Sequence, residues 1–316
     1  MDLSDTFPSL LPVLTQASAP LTKEVQVLDE HGQQRTLFIP AERALTVYVD
    51  KRELVTLMTL GAHPEWLVLG YLRNQRLVDS IDEIESISVD WEVSAAAVKT
   101  RHGITDIEKR TEKRVVTTGC GQGSVFGDLL GAFEGITLPP STVTQAQLEA
   151  ITNSIRLQDS VYKQAGSVHG CALFSTATET AEQLIFVEDV GRHNAIDTIA
   201  GWMSLQDLAP TLVAARTALP PEGAVPCLGR PGAAASVTTH SGMSGTNKVF
   251  YTTGRLTSEM VMKSAQMGIP VVVSRSGMTE MGLALAQQLG LCAIGRATNK
   301  RFLCFSAPER VVWQAA

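Results

Sequence analysis

The chain has 316 residues, of which 44% are hydrophobic and 18% charged, and no apolar run approaches the roughly 20 residues that cross a bilayer, which excludes a membrane-spanning class. Its net charge of -6 argues against general nucleic-acid binding, because an acidic surface repels a phosphate backbone. The five cysteines are an odd number without dense spacing, so we expect reduced thiols and no bound structural metal.

The first part of the chain predicts a smaller β-rich α+β domain. Residues 1–20 carry acidic residues and prolines instead of the basic and apolar pattern of a signal peptide, so we expect a frayed start and a cytoplasmic protein. A helix with one apolar face begins at Pro64, and residues 84–93 alternate like a strand. Strands are also predicted at residues 25–28, 36–39, 45–49 and 54–58. The charged stretch 101–114 is typical of a linker, and we place a domain boundary near Thr117, giving domains 1–117 and 118–316.

A glycine-rich loop surrounds Cys120. Gly119, Gly121 and Gly123 leave the backbone free to expose the sulfur and to turn N–H groups inward. A free thiol has a pKa of about 8.5, and the N-terminus of the helix predicted from Val125 favours the thiolate. Cys120 is therefore the candidate nucleophile, and a glycine-rich turn with an incidental cysteine is the alternative.

The centre of the chain places polar residues at a strand-to-helix junction. An amphipathic helix at 144–160 precedes strands at 168–174 and 184–187, so Gly191-Arg192-His193 falls at a strand's carboxyl end, where open α/β sheets bind ligands. Asn194 or Asp197 is expected to open the next helix. His193 either manages protons or orients a loop. Residues 217–247, with four prolines and five glycines, predict an inserted flexible loop.

The last third has a regular β-α-β-α-β pattern. Strands at 249–253, 269–273 and 291–294 alternate with helices at 258–267 and 279–289, which predicts parallel pairing. The residues that follow the strands include Arg255, Arg275 and Arg296, and Arg192 repeats the arrangement at the earlier junction. If these strands share one sheet, four guanidinium groups gather at one edge and favour a phosphate-bearing ligand, to which Lys300 and Arg301 add charge. Separate surface arginines are the alternative.

Residues 187–197, Val-Glu-Asp-Val-Gly-Arg-His-Asn-Ala-Ile-Asp, resemble the signature of the FdhD family, the formate dehydrogenase accessory sulfurtransferases. Thr253-Gly254-Arg255 with Ser258-Glu259-Met260-Val261, and then Gly268-Ile269-Pro270, are similar to its C-terminal pattern in the same order. The resemblance extends from about Leu37 to the C-terminus, apart from the 217–247 insert.

This resemblance implies an α/β fold with a cytidine-deaminase-like C-terminal core, a homodimer and the role of a sulfur carrier. A cysteine desulfurase would pass sulfur to Cys120 as a persulfide, for delivery to the molybdenum or tungsten bis(molybdopterin guanine dinucleotide) cofactor of formate dehydrogenase. The family segment that contacts this cofactor falls on Arg296, Ala297, Thr298, Asn299, Lys300 and Arg301. Gly123 stands where many members have a second loop cysteine, and Thr198 stands where lysine is common.

Two other functions compete with this interpretation. A chaperone would hold the same cofactor without moving sulfur, and Cys120 would then be structural. A zinc hydrolase on the deaminase fold would need His-x-Glu and Pro-Cys-x-x-Cys motifs, and the sequence contains neither.

Overall fold

The computed structural model describes residues 11–104, 135–217 and 244–314. Cys120, the predicted boundary near Thr117 and most of the predicted 217–247 insert lie outside these ranges, so those predictions stay predictions. Among the described helices, none is both long enough and apolar enough to cross a membrane. The described chain is a mixed α/β protein, as predicted.

The N-terminal part forms one five-stranded sheet, a separate hairpin and one helix, α1 (Pro64–Asn74). Its strands are β1 (Val13–Leu14), β2 (Thr22–Leu28), β3 (Gln34–Pro40), β4 (Arg43–Val49), β5 (Arg52–Thr59), β6 (Ile84–Asp90) and β7 (Ala95–Thr100). The sheet order is β1-β6-β7-β4-β5, and β2 pairs only with β3. Alternation along β4 buries Leu45, Val47 and Val49 against α1.

The C-terminal part forms a six-stranded sheet. The remaining strands are β8 (Val143–Thr144), β9 (His169–Ser175), β10 (Glu182–Asp189), β11 (Lys248–Thr252), β12 (Val271–Ser274), β13 (Cys292–Thr298), β14 (Arg301–Cys304) and β15 (Val311–Val312). The sheet order is β10-β9-β11-β12-β13-β14, and β8 pairs with β15 outside it. Strands β11, β12 and β13 are parallel, and β9 is antiparallel to both β10 and β11. The carboxyl ends of β10 to β13 therefore point to one edge.

Helices cover both faces of this sheet. They are α2 (Gln145–Leu157), α3 (Val161–Ala165), α4 (Arg192–Thr217), α5 (Ser258–Gln266) and α6 (Glu280–Leu289). Helices α4, α5 and α6 pack on one face around Ile196, Met260 and Ala286, while Leu148 and Ile151 of α2 pack on the other. Thr144 begins α2 with a capping box that it shares with Gln147.

The two parts meet where α1 crosses α4. A Cβ on Gly70 would lie 1.7 Å from the carbonyl oxygen of Asp197, and one on Gly201 would lie 1.9 Å from that of Trp66. Only glycine allows the two helix backbones to approach this closely. The crossing therefore joins the core of the first sheet to that of the second.

The structure confirms the predicted β-α-β-α-β unit with its parallel pairing, and it extends or adds several elements. Helix α4 begins at Arg192 and runs to Thr217, so the prediction that Asn194 or Asp197 opens it was wrong. The Asp189 side chain accepts a hydrogen bond from the N–H of Gly191, just before the helix begins. The pattern did not predict β7 or β14, and β13 continues past Ile294 to Thr298.

Candidate functional site

Four arginines lie at the edge where the carboxyl ends of β10 to β13 meet. Arg192 follows β10, Arg255 follows β11 and Arg275 follows β12. Arg296 lies within β13, and its N–H donates to Ser276 O at 2.6 Å just beyond β12. The four strands therefore share one sheet, which is the condition on which the predicted cluster of arginines depended. The role of the arginines in binding stays a prediction.

His169, the first residue of β9, lies beside two of these arginines. Burial, followed by the positive charges of Arg192 and Arg255, lowers the pKa of its imidazole below the usual range. Arg192 runs over Gly254, where an added Cβ would lie 2.8 Å from Arg192 Cδ. This side of the edge therefore has two fixed positive charges and a neutral histidine.

A cavity of about 630 Å³ opens between α2, α3 and the sheet. Its walls include the cationic side chains of Arg156, Lys163 and Arg275, together with His169 and Tyr251. This volume falls in the range of small-molecule sites, roughly 300–1,000 Å³. A concave, positively charged site of this size suits an anionic ligand of nucleotide dimensions.

Four of the predicted binding residues line this cavity. They are Arg275, Ala297, Thr298 and Asn299. The other predicted binding residues that the structure describes lie outside its walls: Arg192, Arg255, Arg296, Lys300 and Arg301. The structure therefore separates the predicted site into a cavity wall and a neighbouring basic edge.

The turn between β13 and β14 carries the segment 296–301. Arg296 and Asn299 have left-handed φ values of 52°. The Thr152 hydroxyl of α2 donates to Asn299 O at 2.8 Å, and Lys300 Nζ lies 3.2 Å from Glu149 Oε1. The Thr152 contact binds the turn to α2, whereas Lys300 is 80% exposed and its pair with Glu149 lies at the surface, outside the cavity wall.

The cavity wall also contains an acidic residue, Glu188, and an uncharged polar residue, Tyr251. The Glu188 carboxylate accepts the backbone N–H groups of Val161 at 2.5 Å and Tyr162 at 3.1 Å, at the start of α3. Burial raises the pKa of Glu188, and it raises the pKa of Tyr251 to about 12. The tyrosine hydroxyl is therefore protonated at neutral pH and able to donate to a ligand.

Two residues of the 187–197 signature tie the two sheets together. Asp189 accepts from the Thr59 hydroxyl, from Leu60 N–H at 3.2 Å and from Asn194 Nδ2 at 2.9 Å. Asn194 Nδ2 also donates to Met58 O at 2.6 Å. Met58, Thr59 and Leu60 lie at the end of β5 or directly after it, so this part of the signature connects the second sheet to the first.

The other half of the signature lies in a buried charged cluster. His193 Nδ1 is 3.4 Å from Glu259 Oε1, and Lys263 Nζ is 2.8 Å from Asp197 Oδ2. Burial, then the charges of Lys263 and Arg192 and the neighbouring His169, lower the pKa of His193 to about 2. His193 is therefore neutral at physiological pH, so its contact with Glu259 is not an ion pair.

The described cysteines differ from the predicted nucleophile, Cys120, which lies outside the described residues. Cys171 is fully buried, and burial raises the pKa of its thiol to about 12. A hydrogen bond from the Cys292 thiol lowers the pKa of the half-buried Cys304, while the same contact and burial raise that of Cys292. No three His, Cys, Asp or Glu residues within 11–104, 135–217 and 244–314 are grouped to hold a metal ion.

Sequence reasoning missed several residues of the site. Glu259 and Lys263 were not singled out, although their spacing of four on a predicted helix is the signal of a paired charge. Arg156 and Lys163 come from α2 and α3, far from the arginine-bearing strands in sequence, and no local pattern marks them. His169 begins β9, and no motif in the sequence distinguishes it from a packing residue.

A comparison with known protein families identifies the chain's relatives. The model of the FdhD/NarQ family matches residues 40–217 and 234–312. The chain belongs to the FdhD/NarQ family. The stretch that this FdhD/NarQ match leaves out, residues 218–233, falls inside the predicted insert.

Individual FdhD relatives match over most of their length. The chain is similar to a "Sulfur carrier protein FdhD" of Bacillus subtilis, with 26% identity over 85% of this chain and 88% of the relative. The protein of the same name from Staphylococcus haemolyticus is 27% identical over 89% of this chain and 93% of its own. A crystal structure from Desulfotalea psychrophila, provisionally described as a formate dehydrogenase accessory protein, shares the fold with a TM-score of 0.65 and 23% identity. It covers 93% of this chain and all of its own.

Proposed function

We propose that this protein is a cytoplasmic sulfur carrier that serves formate dehydrogenase. The names of its relatives support a sulfur-carrier role. The observation that carries the proposal is the basic sheet edge beside a cavity of about 630 Å³, because a carrier must hold an anionic recipient next to the sulfur that it delivers. In the same proposal the C-terminal core is cytidine-deaminase-like, which the strand order with antiparallel β9 supports, and the protein is a homodimer.

Cys120 accepts sulfur from a cysteine desulfurase in this proposal. The Cys120 thiolate attacks the outer sulfur of the persulfide on the desulfurase cysteine. The donor's S–S bond breaks, its electron pair leaves on the donor cysteine, and that thiolate takes up the proton that Cys120 released. A new S–S bond forms on Cys120 without net oxidation, so Gly123 in place of a second loop cysteine is compatible with the step.

The recipient of the sulfur is the molybdenum or tungsten bis(molybdopterin guanine dinucleotide) cofactor, handled as cargo. Arg275, Lys163 and Arg156 supply charge for a guanine dinucleotide phosphate, and Tyr251 supplies a hydroxyl donor. Ala297 and Thr298, at the end of β13, and the following Asn299 form one wall of the cavity. Arg192 and Arg255 lie outside that wall, where they would attract the anionic persulfide or a second phosphate.

The loading step is tested by intact-protein mass spectrometry after incubation with cysteine and a cysteine desulfurase. The unaltered chain should gain one sulfur that a reductant removes, and Cys120→Ala should gain none. Cys304→Ala is the matched control, because Cys304 is a half-buried thiol on the edge strand β14, and it should load like the unaltered chain. Loading of Cys120→Ala would assign the sulfur to another thiol.

The chaperone is the second candidate, and one observation favours it: among the described residues, the cavity already offers Arg156, Lys163 and Arg275 to an anionic ligand. If the unaltered chain gains no sulfur from an active desulfurase but binds a guanine nucleotide, the chaperone replaces the carrier. Arg275→Ala should then weaken that binding about tenfold, the effect of losing one charge-assisted contact. Lys99→Ala, on β7 of the N-terminal sheet, where Lys99 pairs with Glu85, should not change it.

A further inference from the structure

Two pairs of ionisable side chains face each other between α4 and α5. His193 and Asp197 are one turn apart on α4, and Glu259 and Lys263 are one turn apart on α5. Lys263 Nζ lies 2.8 Å from Asp197 Oδ2 and 3.6 Å from Glu259 Oε1, while His193 Nδ1 lies 3.4 Å from the same Glu259 oxygen. The four side chains form a continuous chain of contacts, from His193 through Glu259 and Lys263 to Asp197, next to the basic edge.

Hydrogen bonds satisfy only the Asp197 end of this chain of contacts. Asp197 accepts from Lys263 and from Asn74 Nδ2 at 2.7 Å. In contrast, His193 Nδ1 and Glu259 Oε1 are both buried and have no hydrogen-bond partner in the described part of the chain. Each atom is the nearest hydrogen-bond partner available to the other, so one shared proton would satisfy both.

We propose that Glu259 is a positioning residue for His193, and that its protonation state determines which ring nitrogen of His193 carries the hydrogen. An ionised Glu259 accepts a hydrogen bond from Nδ1–H, which leaves the lone pair on Nε2. A protonated Glu259 donates to Nδ1, which places the hydrogen on Nε2. The two states differ by the single proton on Glu259, and the imidazole is neutral in both.

The surrounding charges keep the imidazole neutral and leave Glu259 free to titrate. Lys263 on α5, Arg192 on α4 and His169 on β9 all face His193 and disfavour its protonation. Glu259 faces Lys263 and Arg192, which favour its ionised form, and Asp197, which opposes it. Burial is the largest influence on Glu259 and raises its pKa above the ordinary carboxyl range.

This inference rests on the proposed function, in which sulfur arrives at the same edge. With Glu259 ionised, Nε2 accepts a hydrogen bond from a thiol or persulfide S–H. With Glu259 protonated, Nε2–H donates to a thiolate or persulfide anion. Glu259 therefore decides whether His193 orients the protonated or the anionic form of the sulfur group.

The test is a pH titration of the ¹⁵N-labelled full chain from pH 8 to pH 4, following the His193 ring nitrogens by long-range proton–nitrogen NMR. The hydrogen should reside on Nδ1 at pH 8 and move to Nε2 as the pH falls through the titration of Glu259. In Glu259→Gln the amide has no proton to gain, so the ring should keep one tautomer throughout. The signals of His63, near the α1 helix start, serve as an internal reference.

Glu280→Gln is the matched control, because Glu280 occupies the first turn of α6 as Glu259 does in α5, but is exposed to solvent. It should titrate like the unaltered chain. A hydrogen on Nε2 at pH 8, a single tautomer over the whole range in the unaltered chain, or the same titration in Glu259→Gln would overturn the proposal. The unaltered chain alone can give the first two results, so the test does not depend on the variant's folding.

The functional consequence is measured on sulfur loading of Cys120. Glu259→Gln should load on the order of tenfold more slowly at pH 8, and its pH profile should lack the inflection seen in the unaltered chain. Equal rates and profiles would contradict the link between Glu259 and sulfur transfer. If the unaltered chain does not load at all, the carrier function fails, while the NMR titration still decides the tautomer.

Discussion

Asp189 is a buried carboxyl group and Glu259 a partly buried one, and the two lie close to the same sheet edge but differ in their hydrogen bonding. Asp189 receives hydrogen bonds from Thr59, Leu60, Gly191 and Asn194. Glu259 has a lysine at 3.6 Å and an oxygen without a hydrogen-bond partner among the described residues. Burial raises the pKa of both. A fully bonded carboxylate fixes structure, whereas an incompletely bonded one can change its protonation state.

The largest expected effect comes from Asp189→Ala. The substitution removes the acceptor of four donors, of which Asn194 Nδ2 keeps Met58 O, and each donor left unpaired costs roughly 1–3 kcal/mol, so we expect the free energy of unfolding to fall by about 4 kcal/mol. Urea denaturation at pH 7 measures this loss. Glu259→Gln is the comparison and should lose less than about 1 kcal/mol. Similar losses in the two variants would remove the distinction between a structural and a titrating carboxyl group.

A second prediction concerns the neutrality of His193. Its pKa falls from 6.5 to about 2 on folding, so the unfolded chain takes up a proton below pH 6.5 and the folded chain does not. The stability contributed by this histidine is therefore complete above pH 6.5 and declines by about 1.4 kcal/mol per pH unit as the pH falls towards 2.

Unfolding free energies at pH 6.5 and pH 5 test this behaviour. Between these pH values the unaltered chain should lose about 2 kcal/mol more than His193→Gln, which has no imidazole to protonate. Parallel losses in the two proteins would show that His193 titrates normally in the folded state, and the charged cluster around it would then need a different account.

The smallest expected effect on stability comes from Gly254→Ala. The added Cβ would meet the flexible stem of Arg192, so the free energy of unfolding should change by less than about 1 kcal/mol. The guanidinium must shift, however, and the pKa of His169 should rise towards 6.5 if its charge moves away. NMR titration of His169 measures this. Gly277→Ala, with no atom within 4 Å of its Cβ, should leave that pKa unchanged.

The regular part of the fold could be predicted from the sequence because its signals are local. Alternating runs of apolar residues and a glycine after each helix mark the β-α-β-α-β unit, and parallel pairing then brings Arg255 and Arg275 to one edge. Arg192 reaches the same edge because β10 and β11 are both antiparallel to β9. β14 was missed because its pattern is short and half exposed, and because Asn299 turns the chain without a glycine.

The cavity could not be predicted in the same way. Its cationic residues Arg156 and Lys163 lie on α2 and α3, and only the packing of these helices on the sheet brings them opposite Arg275. The role of Asp189 was also hidden, since its partners Thr59 and Leu60 are about 130 residues away. A contact between two polar groups far apart in the chain produces no periodic pattern in the sequence.

The glycine crossing of α1 and α4 determines how freely the two sheets can move against each other. Helix backbones in direct contact at Gly70 and Gly201 leave no room for one sheet to rotate against the other, so this junction is not a hinge. Helix α3, which is five residues long, contacts β3 and also lines the cavity, so this wall of the cavity is held by a short helix and not by the glycine crossing.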